Sequence, residues 1–203
     1  MDNLNYTVLQ LDVIKELANV GGGNAASSIS KLIGKPVNMT VPTIELLNYE
    51  EVFEQIMAED VMVNSILMNM TGDAEGKFLF MVSDDVAEGL INMMLPTGIE
   101  ANEEIKQSAL NELTNILITS FINAISMMVD INLISSIPIY VRDMFGAILS
   151  SVYIESEQYD DTVMIIKNEF LYQGDRMDSS LYFVPKPGVL QKLFKLLGLG
   201  EEQ

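Results

Sequence analysis

Asp12, Glu16, Asn19 and Gly23 stand at i, i+4, i+7 and i+11. At about 100° per residue this spacing predicts a narrow stripe along one face of a helix. Ser108, Glu112, Asn115 and Thr119 repeat the spacing 96 residues later. A polar outward face is the default for a packed helix, so one such stripe would say little. The return of Glu and Asn at the same phase says more, because a solvated face constrains polarity and not residue type, although common ancestry alone would also preserve them. An ionised Glu is an anchor for a Lys or Arg on a partner. An Asn amide has an acceptor oxygen and two donor hydrogens on a rigid plane, so it can hold a water in place without taking its proton. The pair lacks a strong base and is unsuited to an unactivated amide. It suffices where the bond is already activated and water placement is the remaining task, as in an aspartyl phosphate. Gly23 and Thr119, both small, would let a partner approach closely.

Composition removes most other chemistry. The 203 residues include no Cys, His or Trp. That excludes a disulfide framework, a thiol nucleophile, an Fe–S cluster, a Ser-His-Asp triad, imidazole acid–base work and a His-ligated metal. The 29 Asp+Glu against 11 Lys+Arg leave a net charge of −18, which disfavours nucleic acid as a partner. With 49% apolar residues the chain can bury a core. Residues 1–5 have no basic region ahead of an apolar stretch, so no secretory signal is expected. The run Ile116–Val129 falls short of the ~18 residues of a spanning helix and is interrupted by Thr119, Ser120, Asn123 and Ser126. A cytoplasmic protein without membrane insertion is expected.

The elements that must carry the stripes follow from periodicity and turn residues. A helix is predicted from about Leu9 into the low thirties, ended by Gly34-Lys35-Pro36. On it Val13, Ile14, Leu17 and Leu32 should pack opposite the stripe. A short strand over 37–41 closed by Pro42, a helical turn over 50–58, strands over 61–70 and 77–82 and a helix over 84–95 follow. The order then restarts: a long helix over 104–129, a short strand over 132–137 closed by Pro138, strands over 146–154, 162–172 and 181–184, and a final helix over 187–197. On the second long helix Leu113, Ile116, Leu117 and Val129 include the packing positions. Glu16/Glu112, Asn19/Asn115, Ser30/Ser126 and Pro42/Pro138 match at an offset of 96, and Gly72/Gly174 at 102. The expected architecture is an α+β fold with pseudo-twofold internal duplication. A shared, largely antiparallel sheet would carry both long helices on one side. One domain over 1–203 is expected, with repeat halves of about 9–95 and 104–198.

Asp/Ser-x3-Glu-x2-Asn followed 22 residues later by Pro fits Asp12, Glu16, Asn19 and Pro42, and again Ser108, Glu112, Asn115 and Pro138. With the segments 16–26 and 143–150, this resembles the CheC/CheX/FliY family of chemotaxis phosphatases over nearly the whole chain. The resemblance implies a phosphatase of the phosphorylated response regulator CheY. Glu16 or Glu112 would pair with a regulator Lys, and Asn19 or Asn115 would orient the attacking water. Asp12 and Ser108 would support them. The Mg²⁺ would belong to CheY, with no cofactor or metal of this chain's own. A second implied partner is the receptor deamidase CheD, expected to stimulate the phosphatase and be restrained by it. Asp143, Phe145, Gly146, Ala147, Ile148 and Leu149 are the candidate contact, a segment that also reads as a buried strand. Two motifs and the length fit the CheC group, without the added flagellar-switch domain of FliY. The duplication implies a monomer, whereas the shorter one-motif CheX-like members dimerise.

The competing reading is a non-catalytic chemotaxis or flagellar-switch adaptor that binds CheY or CheD, which would have no need of the paired amides. Gly21-Gly22-Gly23 lacks the Gly-Lys-Ser/Thr ending and the preceding strand of a phosphate loop. The 14 Met suit core filling. The last helix, with Val189, Leu190, Leu193, Phe194 and Leu197 apolar, suits packing on the sheet.

Overall fold

The computed structural model describes residues 6–96, 98–155 and 162–199. Helix α1 (Val8–Ile33) leads into strand β1 (Asn38–Asn48), the short helix α2 (Tyr49–Gln55), the hairpin β2 (Met62–Gly72) and β3 (Gly76–Val82), and helix α3 (Asp84–Met94). The order then repeats as α4 (Glu103–Val129), the two short strands β4 (Leu133–Ser135) and β5 (Ile139–Met144), α5 (Phe145–Glu155), the hairpin β6 (Thr162–Tyr172) and β7 (Asp175–Pro185), and α6 (Val189–Leu196).

All strand pairs are antiparallel, in the order β1-β6-β7-β3-β2-β4, with β5 also on β2. The order reads alike from either end when β4 and β5 count as one interrupted strand. Each half supplies the edge strand of the other half's hairpin. The pseudo-twofold axis therefore passes between β3 and β7.

Alternation along β3 shows the two layers. Phe78, Phe80 and Val82 enter a large core with Ile14, Leu113, Leu117, Leu90 and Leu193, beneath α1, α4, α3 and α6. Leu79 and Met81 enter a smaller core on the other face with Val52 of α2 and Phe145, Leu149 and Val152 of α5. This division follows the period of two along a strand.

The long helices start and stop on local signals. Thr7 and Gln10 form a reciprocal capping box on α1, and Asn102 caps α4 through the Ile105 N–H. Gly34 and Asp130, 96 positions apart, both end their helices in the left-handed region, at φ of 68° and 53°. The repeated serines have a structural task here. Ser30 Oγ accepts from Val37 N at 2.9 Å, and Ser126 Oγ donates to the Ile131 carbonyl. Each ties the last turns of its helix to the chain leading into the next strand.

Several expectations change. Residues 146–154 form a helix, not a strand. The apolar stretches on either side of Ser150 and Ser151 are too short to show a period that distinguishes the two, and here the Ser150 and Ser151 hydroxyls donate to the Gly146 and Ala147 carbonyls, the i−4 pattern of a helix. Pro42 does not close its strand, whereas Pro138 stands in the break between β4 and β5. β1 runs through position 42, and three residues from Thr40 to Thr43 span two on β6. Around Pro138, Ser135 pairs with Met70 and Ile139 with Leu67, again one residue in excess. Both prolines, lacking an N–H, therefore stand at one-residue bulges in edge strands. β7 begins at Asp175, six residues before the expected start. Leu32, expected to pack, is 53% exposed in the last turn of α1. Taken whole, α4 is long and apolar enough to cross a membrane by length and composition. Its Leu113, Leu117, Phe121 and Ile122 are nonetheless buried in the core.

The two hairpin glycines differ in their surroundings. At Gly72 (φ 113°) an added Cβ would lie 2.3 Å from the Asn132 carbonyl oxygen, whereas at Gly174 (φ 94°) nothing lies within 4 Å. The Gly72 turn docks on the segment leaving α4, where Asp73 N donates to Asn132 O and Asn132 N to Asp73 Oδ2, both at 2.9 Å. Gly174→Ala should cost about 1–2 kcal/mol through backbone strain alone. Gly72→Ala should cost at least about 1 kcal/mol more, because the turn must also move. Urea unfolding of the two variants tests the difference.

Candidate functional site

The sheet, the two long helices and the short helices beside them fix where the stripes point. Ile14, Ala18, Ala25 and Ile29 of α1 are buried, which places Asp12, Glu16, Asn19 and Gly23 on the opposite, exposed side. On α4, Leu110, Leu113, Leu117 and Phe121 are buried; Ser108 and Glu112 are exposed, Asn115 and Thr119 half-buried. The twofold between β3 and β7, with both long helices on the same face, makes α1 and α4 antiparallel. Both stripes look away from the sheet, and the crossing of the helices separates them. The structure thus brings Glu16 to Asn19 and Glu112 to Asn115, one turn apart on each helix, and keeps the two pairs as separate sites.

Gly21 sets the closeness of the crossing, because a Cβ there would lie 3.0 Å from Cα of Phe121 on α4. Gly22 faces β1, where an added Cβ would lie 3.3 Å from Val41 Cγ2, while one at Gly23 would meet nothing within 4 Å. Two of the three glycines therefore serve internal packing. The third lies on the stripe with open space above it.

Each motif helix is also held two residues ahead of its stripe. Gln10 Nε2 donates to the Leu199 carbonyl at 3.1 Å, just beyond α6. The equivalent position on α4, Lys106, pairs with Glu88 of α3 at 2.6 Å. Behind Lys106 lies a polar cluster that sequence reading missed, because its members come from three separate elements. Arg142 of β5 makes two bonds to Asp84, at 2.7 and 3.2 Å. Buried Asn64 donates to Asp84 at 2.8 Å and accepts from the Tyr140 hydroxyl at 2.5 Å. Hydrogen bonds from Arg142 and Asn64 hold the Asp84 carboxyl below its usual range, and burial pushes the Tyr140 hydroxyl up.

Against these tied groups the motif side chains stand unspent. Among the described residues, Glu16 and Glu112 form no ion pair, and the amides of Asn19 and Asn115 make no hydrogen bond. Thr119 is an exception on the second stripe, its hydroxyl 3.3 Å from that of Ser135 in β4. Free carboxylates and amides in repeated geometry can bind a cation and orient a water. The described residues contain no group of three or more carboxylates placed to hold a metal ion.

The segment 143–149 sits elsewhere, at the end of β5 and the start of α5. Phe145, Gly146, Ile148 and Leu149 are buried there, so Asp143, exposed, and Ala147, half-buried, are what it offers a partner.

Fold and site together define a duplicated α+β protein that presents two carboxylate–carboxamide pairs on antiparallel helices. Residues 9–46 match the model of the CheC-like family, and residues 65–156 match that of the chemotaxis phosphatase CheX. The chain is 30% identical over 196 residues to the CheY-P phosphatase CheC of Bacillus subtilis (strain 168), covering 93% of this chain and 94% of that protein. It belongs to the CheC-like family. Thermotoga maritima FliY shares the fold at a TM-score of 0.73 and 20% identity, over 98% of this chain and 100% of that chain. FliM from its H. pylori complex with SpeE does so at 0.70 and 10%, over 96% and 97%. A Desulfovibrio desulfuricans chemotaxis protein CheX matches at 0.57 and 13%, over 84% and 99%.

Two substitutions check this geometry. Gly23→Ala should raise stability by about 0.5–1 kcal/mol, since helix propensity improves and nothing is displaced. Asp84→Asn should lower the urea midpoint at pH 7. Because the folded Asp84 pKa lies below its unfolded value, its stabilisation is complete above the unfolded pKa. It is lost as pH falls through the folded one, so the two midpoints should converge in the acid range, below about pH 4.

Proposed function

We propose that the chain is a phosphatase of phosphorylated CheY in bacterial chemotaxis, acting in the cytoplasm through two Glu-x-x-Asn sites. The observation that carries this reading is the pair of unengaged Glu and Asn side chains recurring on equivalent outward helix faces. The homologue named CheY-P phosphatase CheC supports the choice of substrate. Glu16 and Glu112 dock a Lys beside the phosphorylated Asp of CheY. The Asn19 and Asn115 amides enter the regulator's site and hold a water in line with the phosphorus, away from the leaving carboxylate. Water attacks, the bond from phosphorus to the carboxylate oxygen breaks, and inorganic phosphate departs. Asp12 and Ser108 support the start of each stripe. Mg²⁺ comes with CheY, and the amide needs no general base because the acyl phosphate is already activated. CheD is the second partner in this reading, with Asp143 and the exposed side of α5 as its contact, and a monomer carries both sites. Unengaged amides at both motifs favour the enzyme over an adaptor.

Decay of phospho-CheY with and without the protein is the test. The intact chain should speed it. Asn19→Ala/Asn115→Ala should remove most of the acceleration, about 100-fold, the scale expected when a reacting group is mispositioned. Glu16→Ala/Glu112→Ala should mainly weaken binding. Unchanged decay, even with a matching CheD present, would sink the phosphatase reading. Single-site variants apportion activity between the two stripes.

A further inference from the structure

We infer that Leu9 and Ile105 are apolar anchors for the phosphorylated receiver partner, with Val20 and Ile116 as a second contact at the far end of each site, and that they set affinity and not rate. The identity of the partner rests on the phosphatase reading of the Glu/Asn pairs.

Leu9 and Ile105 are equivalent, 96 positions apart, each seven residues ahead of its Glu. They are 58% and 38% exposed. At about 100° per residue Leu9 lies 140–180° from the buried Ile14, Ala18 and Ala25, so its exposure is not a fraying core contact. Eleven residues on, within about 20° of the same line, come Val20, 36% exposed, and its counterpart Ile116, half-buried and packed in part against the large core. Each Glu-x-x-Asn is thus bracketed by two apolar side chains about 16 Å apart along its helix. Of the other outward apolar residues, Val8, Leu11 and Met127 have Glu104, Gln107 and Lys31 as counterparts and do not recur. Leu32 and Met128 do recur, but in the last turns and on the core side of the helix phase.

The energetics require such anchors. A solvent-exposed Glu–Lys pair contributes at most about 1 kcal/mol, and an amide that holds a water adds orientation more than affinity. Charge on an exposed rim sets approach and register, while desolvated apolar groups hold a complex together. With a chain charge of −18, the occupant is a partner that presents a cation between two apolar patches, which disfavours a second copy of this acidic chain.

The test measures two quantities with intact protein: acceleration of phospho-CheY decay against protein concentration, and binding to CheY activated with beryllofluoride, which requires no turnover. Leu9→Ser/Ile105→Ser should raise the half-saturating concentration about tenfold and weaken binding by the same factor, with the plateau rate and melting temperature unchanged. Leu9→Met/Ile105→Leu should restore both. Asn19→Ala/Asn115→Ala should show the opposite split, with binding kept and plateau lost. Unchanged half-saturation and binding in the serine variant, or a fall in plateau instead, would overturn the inference. So would failure of the intact chain to bind activated CheY. If it binds without speeding decay, the phosphatase reading falls, while weaker binding of the serine variant still upholds the anchors.

Discussion

Backbone N–H and C=O groups of a buried strand must find partners, and in this protein each half finds some of them in the other. β1 completes the β6–β7 hairpin of the second half, and β4 and β5 complete the β2–β3 hairpin of the first. The helices repeat the exchange: α1 is tied to the segment after α6, and α4 to α3. Neither half has a closed sheet or a covered core without the other. The twofold arrangement is therefore a condition of the fold, and with it come two antiparallel helices on one face and two outward stripes on either side of their crossing.

The equivalence holds where backbone geometry requires it and lapses elsewhere. Helix ends at Gly34 and Asp130, serine ties at Ser30 and Ser126, and bulges at Pro42 and Pro138 recur because each strand must leave its helix and turn along a sheet edge in the same way. The supports of the stripes do not recur. Gln10 meets a carbonyl where Lys106 meets a carboxylate, and Gly23 stands open where Thr119 reaches Ser135. The Asn64–Asp84–Arg142 cluster lies behind the second motif helix; Arg142 and Asn64 face each other across β5 and β2, and the corresponding pair across β1 and β6 is the apolar Leu46 and Met164. Two copies of one chemistry thus rest on unlike foundations, the second more firmly tethered.

Much of this was legible in the residues. Capping residues and 3.6-residue periodicity located α1, α3, α4 and α6 within about two residues at most ends, and turn glycines located both hairpins. The errors have physical causes. The run from Gly146 packs against the sheet and α2 on one side but carries apolar residues such as Ile154 on its exposed side as well, so its pattern did not tell helix from strand. Pro42 looked like a strand end because proline cannot donate to a ladder, but an edge strand with a bulge leaves that donor unneeded.

The sequence by itself determined that the protein has two like halves and that Glu and Asn share a helix face in both. Spacing along a helix is a local property, and an offset between copies can be read from residue identity alone. It took the packing of the elements to show that those faces are outward, that their Glu and Asn side chains have no partner among the described residues, and that Phe145, Ile148 and Leu149 are buried in the core. The same packing separated Gly21, pressed against Phe121, from Gly23, open on the stripe. These depend on which elements lie across from one another, and that is set by strand exchange between segments a hundred residues apart, which no local pattern records.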